Sequence, residues 1–341
     1  MPLLTEVHFQ NYRSFLDAKC RLSPVTVVIG ANNAGKSSFL RGLLAATMNE
    51  APARGQPNVE VYQAFNNQYH RRSDMMMESS HIRLRRGDDT RLITFEPIFP
   101  AFTAEGFTLN ETRLYRLNEG VIGKVETDTE QPIVHSDGEG VTRVLQMLSL
   151  TKRKTFQQIE EEFRKFVPEV EELTFERADQ GKWFLQVREK GLEEAPVALS
   201  EMSEGTRTIL ALLTIIHQPN RPELILLEDI ENAIHPRGLK PLVETMRAIS
   251  KEHGVQFIFT THRPFVLDAF QPPEFWDDVV IVEKTDGVSR LTNAKDRLVA
   301  MRYDREMDKV PLGDLWYSGL LGGVAGPSDL WDEEPSKSAA P

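Results

Sequence analysis

The sequence predicts an α/β fold with a mostly parallel core sheet covered by helices. An apolar stretch, Val25 to Ile29, ends on a glycine-rich loop and is followed by a segment whose apolar residues have helical spacing. Further along, the apolar runs 224–227 and 255–259 lie on either side of a helical segment, 236–250. Strand, helix and strand in this order indicate a parallel sheet, because parallel neighbours need a crossover connection.

Size and composition indicate a globular protein without membrane or disulfide chemistry. The chain has 341 residues, 40% of them hydrophobic, which is enough to bury one large core or two packed lobes. Its longest apolar stretches, such as Ile209 to Ile216, are far shorter than a membrane span of roughly 20 residues, and Met1-Pro2 begins no signal-like run. Cys20 is the only cysteine, which excludes an intrachain disulfide and a thiolate metal cage. We therefore expect a cytoplasmic protein with no membrane partner.

The charge balance argues against nucleic acid as the main partner. The formal net charge is −11, which repels a polyanion unless a local basic patch compensates. The alternative to such a patch, which we favour, is a half-buried strand. On it Ile82 and Leu84 face a core, and His81, Arg83 and Arg85 point to water. DNA binding stays open but unsupported by charge. The candidate patch contains Arg71, Arg72, Arg83, Arg85, Arg86 and Arg91.

The remaining elements suggest a division into domains. We predict a discontinuous core of residues 1–50 and 195–295, an inserted mixed α+β lobe of residues 51–194, and a C-terminal extension of residues 296–341. Pro, Ser and acidic residues indicate a disordered tail from about residue 327. The other predicted strands are 3–10, 18–22, 81–86, 91–96, 173–177 and 183–188, and the other predicted helices are 35–44, 140–150, 156–166 and 204–217.

The strongest chemical signal is a phosphate-binding loop (P-loop) between the strand at 25–29 and the following helix. Glycines let backbone N–H groups converge on phosphates, and the helix N-terminus adds positive potential. In this pattern Lys36 reaches the β- and γ-phosphates and the Ser37 hydroxyl binds Mg²⁺. The core domain is therefore predicted to bind Mg²⁺-ATP. Its predicted nucleotide-binding residues here are Gly30, Ala31, Asn32, Asn33, Ala34, Gly35, Lys36, Ser37 and Ser38.

Two carboxylates follow the buried strand 224–227. Ligands of open α/β sheets lie beyond the carboxyl ends of the strands, so Glu228 and Asp229 should lie beside the phosphates. One carboxylate can bind Mg²⁺ and the next can orient or deprotonate the attacking water. We assign Glu228 to the metal and Asp229 to the water.

The motifs together resemble those of ABC-type head ATPases, and most of all the OLD and RecF branch with its relatives among bacterial antiphage-defence ATPases. That branch has an N-terminal signature similar to Asn11-Tyr12-Arg13-Ser14-Phe15, and we include Arg13 in the nucleotide site. The resemblance spans residues 3 to about 285. Its other motifs are Ser203-Glu204-Gly205-Thr206, the segment from Glu228 to Pro236, and the segment from Phe257 to Pro264.

The resemblance implies roles that the residues alone leave open. Ser203, Glu204 and Gly205 would form a signature loop that closes over the γ-phosphate of nucleotide held by a second subunit. The alternative is a simple helix N-cap at Ser203. By the same resemblance His262 would be a switch histidine at the γ-phosphate, and Glu231 would be a D-loop acid and a rival catalytic base.

Two departures from the family pattern affect the predicted activity. Family members commonly have Asp-Glu or Glu-Glu where this chain has Glu228-Asp229, so the base is one methylene shorter and hydrolysis should be slow. The glutamine of the family's Q-loop has three candidates, Gln56, Gln63 and Gln68.

Three functions remain open at this stage. We favour an ATPase that dimerises, or forms a higher oligomer, around nucleotide and controls a separate effector, such as a nuclease or toxin in antiphage defence. The alternatives are a non-hydrolysing ATP-bound scaffold and a RecF-like DNA repair or replication ATPase. The spacing between Lys36 and Ser203 is too short for the coiled-coil arms of SMC and Rad50 proteins, and the stretch after about residue 295 leaves no room for a fused Toprim nuclease.

The segment 311–321 is a candidate docking site for the effector. It is apolar and aromatic, and exposed clusters of this kind often mark interfaces. The alternative is that Trp316 and Leu320 pack back on their own core.

Overall fold

The computed structural model describes residues 3–48, 79–95, 102–109, 111–127, 132–178, 182–191, 195–230, 236–301, 303 and 310–322. Several sequence predictions lie outside these ranges. They concern Arg71, Arg72, the three Q-loop glutamines, Glu231 and the tail from residue 327.

The core sheet has six strands among the described residues, and it confirms the predicted α/β fold with a mostly parallel sheet. Every neighbouring pair is parallel except the last two strands in the chain, which form an antiparallel hairpin. The three central strands are buried at every position, as expected for a sheet covered on both faces. Their order is β15 (Val288–Asn293), β14 (Val279–Thr285), β3 (Val25–Gly30), β13 (Gln256–Thr261), β12 (Leu224–Leu227) and β7 (Thr112–Tyr115).

Two hydrophobic cores lie on opposite faces of this sheet, because successive side chains of a strand point to opposite faces. Val27 of β3 belongs to one core and its neighbour Val28 to the other. The Val28 face packs on helix α1 (Lys36–Thr47) and on an antiparallel N-terminal sheet. That sheet has the order β2 (Phe15–Arg21), β1 (Glu6–Tyr12), β4 (Ser80–Arg86), β5 (Asp89–Phe95) and β6 (Phe102–Gly106).

The Val27 face packs on the remaining helices and on a small antiparallel sheet in which β10 pairs with three other strands. The helices are α2 (Val141–Thr151), α3 (Arg153–Phe166), α4 (Glu204–His217), α5 (Pro236–His253), α6 (Ala294–Ala300) and α7 (Leu312–Tyr317). The small sheet contains β8 (Glu126–Thr127), β9 (Val170–Ala178), β10 (Lys182–Glu189) and β11 (Val197–Ala198).

The segment 51–194 is tied to the rest of the chain by its strands. Among its described residues, β4, β5 and β6 extend the N-terminal sheet, and β7 is an edge strand of the core sheet. The division into a core and an inserted lobe therefore stays a prediction, and β7 is a core element that the sequence pattern did not assign.

The candidate basic patch is wrong at one of its described positions. Ile82 and Leu84 are fully buried, as the half-buried strand predicts. Arg91, however, is only 2% exposed, and its guanidinium donates hydrogen bonds to the backbone carbonyls of Ala46, Met48 and Phe107. Burial lowers the pKa of Arg91. This arginine fastens the end of α1 to the N-terminal sheet and offers no cation to an outside polyanion.

The C-terminal segment 311–321 packs mostly on its own core. Leu312, Leu315 and Trp316 are buried in the Val27-side core, which agrees with the alternative to a docking site. Leu320 is 41% exposed, so its predicted burial is wrong.

Among the described residues, none of the helices is both long enough and apolar enough to cross a bilayer.

Candidate functional site

The carboxyl edge of the core sheet gathers the predicted motifs. Strands β3, β13 and β12 are parallel neighbours, so they end at the same edge. The P-loop follows β3, Glu228 and Asp229 follow β12, and His262 follows β13. Three segments far apart in sequence thereby meet at one place, where open α/β sheets bind ligands.

The P-loop packs closely against β14 and contains two residues with positive φ. Gly30 lies against β14, where an added Cβ would be 2.5 Å from the Val282 carbonyl oxygen. Asn33 and Gly35 have φ of 63° and 124°, and positive φ favours glycine and is tolerated by asparagine. The glycines are therefore required by close approach and by the turn itself.

Lys36 is held by the carbonyls of its own loop. Its side chain is buried, and its ammonium donates hydrogen bonds to the carbonyls of Gly30 (2.8 Å) and Ala31 (3.1 Å). Helix α1, which begins at Lys36, has no side-chain cap and no acidic residue in its first turn. A helix start without these groups leaves its amides and its positive dipole end to an anion.

These features fit the phosphates of a nucleotide. The loop residues Ala31, Asn32 and Asn33 are exposed, and Ser37 and Ser38 are half-buried on the first turn of α1. Mg²⁺ fits as well, since it is commonly bound by one or two protein oxygens together with substrate phosphates and water. Among the described residues, no group of three or more His, Cys, Asp or Glu could hold a metal alone.

The hairpin β14–β15 supports the loop from outside, which the sequence analysis missed. The Ser289 hydroxyl donates to the Ala34 carbonyl, and the Lys284 ammonium donates to the Asn33 carbonyl (3.3 Å). Asp286-Gly287 between two β-rich runs is a typical hairpin signal and could have identified this element.

Arg13 lies beside the first turn of α1. Its guanidinium donates to the Ser38 hydroxyl (3.3 Å) and lies 5.6 Å from the centre of the Tyr12 ring. Burial raises the pKa of Tyr12. Arg13 has φ of 55°, and a left-handed conformation at a long side chain is uncommon enough to indicate a constraint at this turn.

The acid pair is fixed mainly through its backbone. The Glu228 N–H donates to the Tyr115 carbonyl at the end of β7 (2.9 Å). The Asp229 N–H donates to the Thr260 hydroxyl (3.0 Å), and that hydroxyl donates to the Asp229 carboxylate (3.4 Å). Asp229 also has φ of 51°, which Asp tolerates better than most residues. Thr260 therefore orients Asp229, a role that sequence reasoning did not assign.

Ser203 caps α4, as the alternative to a signature loop proposed. Its hydroxyl accepts the Thr206 N–H (3.2 Å). Ser203 and Glu204 are exposed and Gly205 is half-buried, so the capped turn also faces outward. A role for these residues in trans stays a prediction.

His262 is exposed immediately after β13. The following turn is closed by the Thr261 hydroxyl, which accepts the Arg263 N–H (3.0 Å). The strand places His262 at the correct edge of the sheet, and its contact with a γ-phosphate stays a prediction.

Sequence comparison finds two ATPase domain families in different parts of the chain. Residues 132–268 match the family described as "AAA domain, putative AbiEii toxin, Type IV TA system". Residues 3–76 match the family described as "AAA ATPase domain". No curated protein matches the sequence.

The fold is similar to solved SMC head structures. The SMC head bound to the C-winged helix domain of ScpA is 14% identical, with a TM-score of 0.55 over 85% of this chain and 97% of that chain. The SMC head with an extended coiled coil, bound to the C-terminal domain of ScpA derived from Pyrococcus furiosus, is 12% identical. Its TM-score is 0.52 over 89% of this chain and 99% of that chain. The chain therefore has the α/β fold of SMC head ATPase domains, and two stretches of its sequence match AAA-family ATPase domains.

Proposed function

We propose that this protein binds Mg²⁺-ATP at the carboxyl edge of its core sheet, hydrolyses it slowly, and dimerises around the nucleotide to control a separate effector protein. The observation that carries the proposal is the placement of Lys36. Its ammonium is held by loop carbonyls at an uncapped helix N-terminus, at the same sheet edge as the acid pair. An ammonium and backbone amides fixed in this way can bind the phosphate groups of a nucleotide.

Each side chain then has a defined task. Lys36 and the amides of α1 hold the β- and γ-phosphates, while the Ser37 hydroxyl and Glu228 provide protein ligands for Mg²⁺. Mg²⁺ supplies charge neutralisation at the phosphate oxygens. Asp229 accepts a proton from the attacking water, whose oxygen bonds to the γ-phosphorus as the bond to the ADP oxygen breaks.

Slow hydrolysis follows from the position of the base. The Asp229 carboxylate is one methylene shorter than glutamate, and the Thr260 hydroxyl holds it on the β13 side. A displacement of about 1 Å from the productive position can cost on the order of 10²-fold in rate.

The exposed turn at Ser203–Gly205 supports dimerisation. A capped helix start that faces outward can approach a γ-phosphate held by a second copy, where His262 would contact the same group from within its own chain. The SMC heads of similar fold were solved with ScpA bound, and one matched family is named for a toxin of a toxin–antitoxin system. These names favour a protein partner over DNA, which the net charge of −11 also disfavours.

The Asp229→Asn variant tests the proposal. Removing the base should lower turnover by about 10²-fold or more while ATP still binds, so the ATP-bound dimer should persist in sedimentation. Asp286→Asn is the matched control, since Asp286 also has φ of 51° but lies in the β14–β15 turn. If Asp229→Asn keeps the parental turnover while Glu231→Gln loses it, the assigned base is wrong. If the parent binds no ATP, the whole proposal fails.

A further inference from the structure

Thr208 differs from the other described threonines of helix α4. The Thr206 hydroxyl is hydrogen-bonded to Ser203, and the Thr214 hydroxyl donates to the Leu210 carbonyl (2.7 Å). Thr208 is only 3% exposed, yet its hydroxyl has no hydrogen-bond partner among the described residues. A buried hydroxyl without a partner costs free energy, so it indicates either strain or a ligand.

Thr208 also lines a small cavity. Its wall is formed by Thr208 together with Glu228 and Asp229, and by apolar or aromatic side chains that include Tyr115 and Leu227. Its volume is about 20 Å³. A water molecule needs roughly 10–15 Å³ of such volume, so the cavity has room for a water.

The polar groups around the cavity suit one bridging water. Such a water needs two to four polar partners, and three of the residues that line the cavity, Thr208, Glu228 and Asp229, have polar side chains. The backbones of Glu228 and Asp229 are already fixed by Tyr115 and Thr260. The Thr260 hydroxyl also contacts the Asp229 carboxylate (3.4 Å), so a water on the cavity side would add a second contact to the acid pair.

We propose that Thr208 is a positioning residue that holds the acid pair through a single water in this cavity. The proposal rests on the proposed function, because it names how the catalytic carboxylates are oriented. Thr208 follows Glu204 and Gly205 by four and three residues, so it lies on the same side of α4 as the exposed turn. A second copy that engages this turn would shift the helix and, through the water, the carboxylates.

Three variants test the kinetic consequence. Thr208→Val keeps the shape of the side chain and removes the hydroxyl, so it should lower kcat about tenfold while the dissociation constant for Mg²⁺-ATP stays within about twofold. Thr208→Ser keeps the hydroxyl and should retain most of the parental kcat. Thr214→Val is the control, since that hydroxyl bonds only within its own helix turn in the described structure, and it should turn over like the parent. Equal kcat in Thr208→Val and the parent, or an equal loss in the Val and Ser variants, would overturn the proposal.

Urea unfolding without nucleotide gives an answer that does not depend on turnover. If a water bridges Thr208 to the acids, Thr208→Val loses that network and unfolds at lower urea than the parent. A Glu228→Ala background should then reduce this loss, because the two positions share the water. If the hydroxyl is simply unpaired, Thr208→Val removes a buried polar group and unfolds at higher urea, which contradicts the proposal. A parent without ATPase activity would sink the hydrolytic part of the proposed function, whereas the unfolding comparison would still decide whether the bridge exists.

Discussion

Gly30→Ala should change the geometry of the P-loop while retaining its charged residue, Lys36. Gly30 has no positive φ, so alanine can adopt its backbone conformation without strain. The added Cβ, however, would lie 2.5 Å from the Val282 carbonyl oxygen, and real Cβ atoms essentially never approach closer than 3.0 Å. The loop must therefore move away from β14 by several tenths of an ångström. Because the Lys36 ammonium is hydrogen-bonded to the Gly30 carbonyl, we expect it to move when the loop moves.

The expected cost follows from the bonds that this shift weakens. Losing one charge-assisted hydrogen bond to phosphate, which contributes about 1.5–3 kcal/mol, should weaken Mg²⁺-ATP binding by roughly tenfold to two hundredfold. Isothermal titration calorimetry would measure the affinity, and thermal unfolding would show that the variant is folded. Gly120→Ala is the control, since Gly120 also has no positive φ and an added Cβ there would meet only the Asn118 side-chain oxygen, at 3.1 Å. Parental ATP affinity in a folded Gly30→Ala protein would refute the role assigned to this close approach.

Three further predictions concern stability and assembly. Arg91→Met should lower the free energy of unfolding by about 3 kcal/mol in urea titration, because one buried and two part-buried carbonyls lose a charged donor, whereas Arg85→Met at an exposed site should change it by less than about 0.5 kcal/mol. Burial raises the pKa of Glu162, but the hydrogen bond and charge of His217 outweigh it and hold that pKa below its ordinary value of 4.5. The stability from this pair should therefore be present above pH 4.5 and be lost as the pH falls further, and His217→Gln should flatten that acid limb of unfolding measured against pH. Gly205→Asp should still bind ATP but fail to dimerise with it in sedimentation, because a carboxylate would face a γ-phosphate; a variant that dimerises like the parent would leave Ser203 as a helix cap only.

The central elements could be predicted because their local and global signals agree. The runs 25–29, 224–227 and 255–259 are mostly apolar and buried at every position, as expected for the central strands of a parallel sheet covered on both faces. Helix α4 begins and ends as predicted, since Ser203 is a strong N-cap before a long apolar run.

The missed elements depend on contacts made far along the chain. Strand β7 has four residues and becomes a strand only by pairing with β12, more than a hundred residues later. Arg91 shows no sign of burial in its sequence context, because its three carbonyl partners come from the end of α1 and from Phe107. The bond between Thr260 and Asp229 likewise requires β12 and β13 to be neighbours. Local pattern carries no information on such pairings.

The most direct test of the nucleotide site is to compare the affinity for Mg²⁺-ATP of the parent protein with that of Lys36→Ala, which lacks the loop ammonium. Calorimetric titration should show binding by the parent protein and a loss of at least a hundredfold in Lys36→Ala, because that side chain is the cation that the loop holds at the helix start. Lys190→Ala, which removes an exposed lysine bonded to the Pro168 carbonyl, should bind like the parent. Equal affinity in the parent and a folded Lys36→Ala protein would contradict the assignment of this edge of the sheet as a nucleotide site.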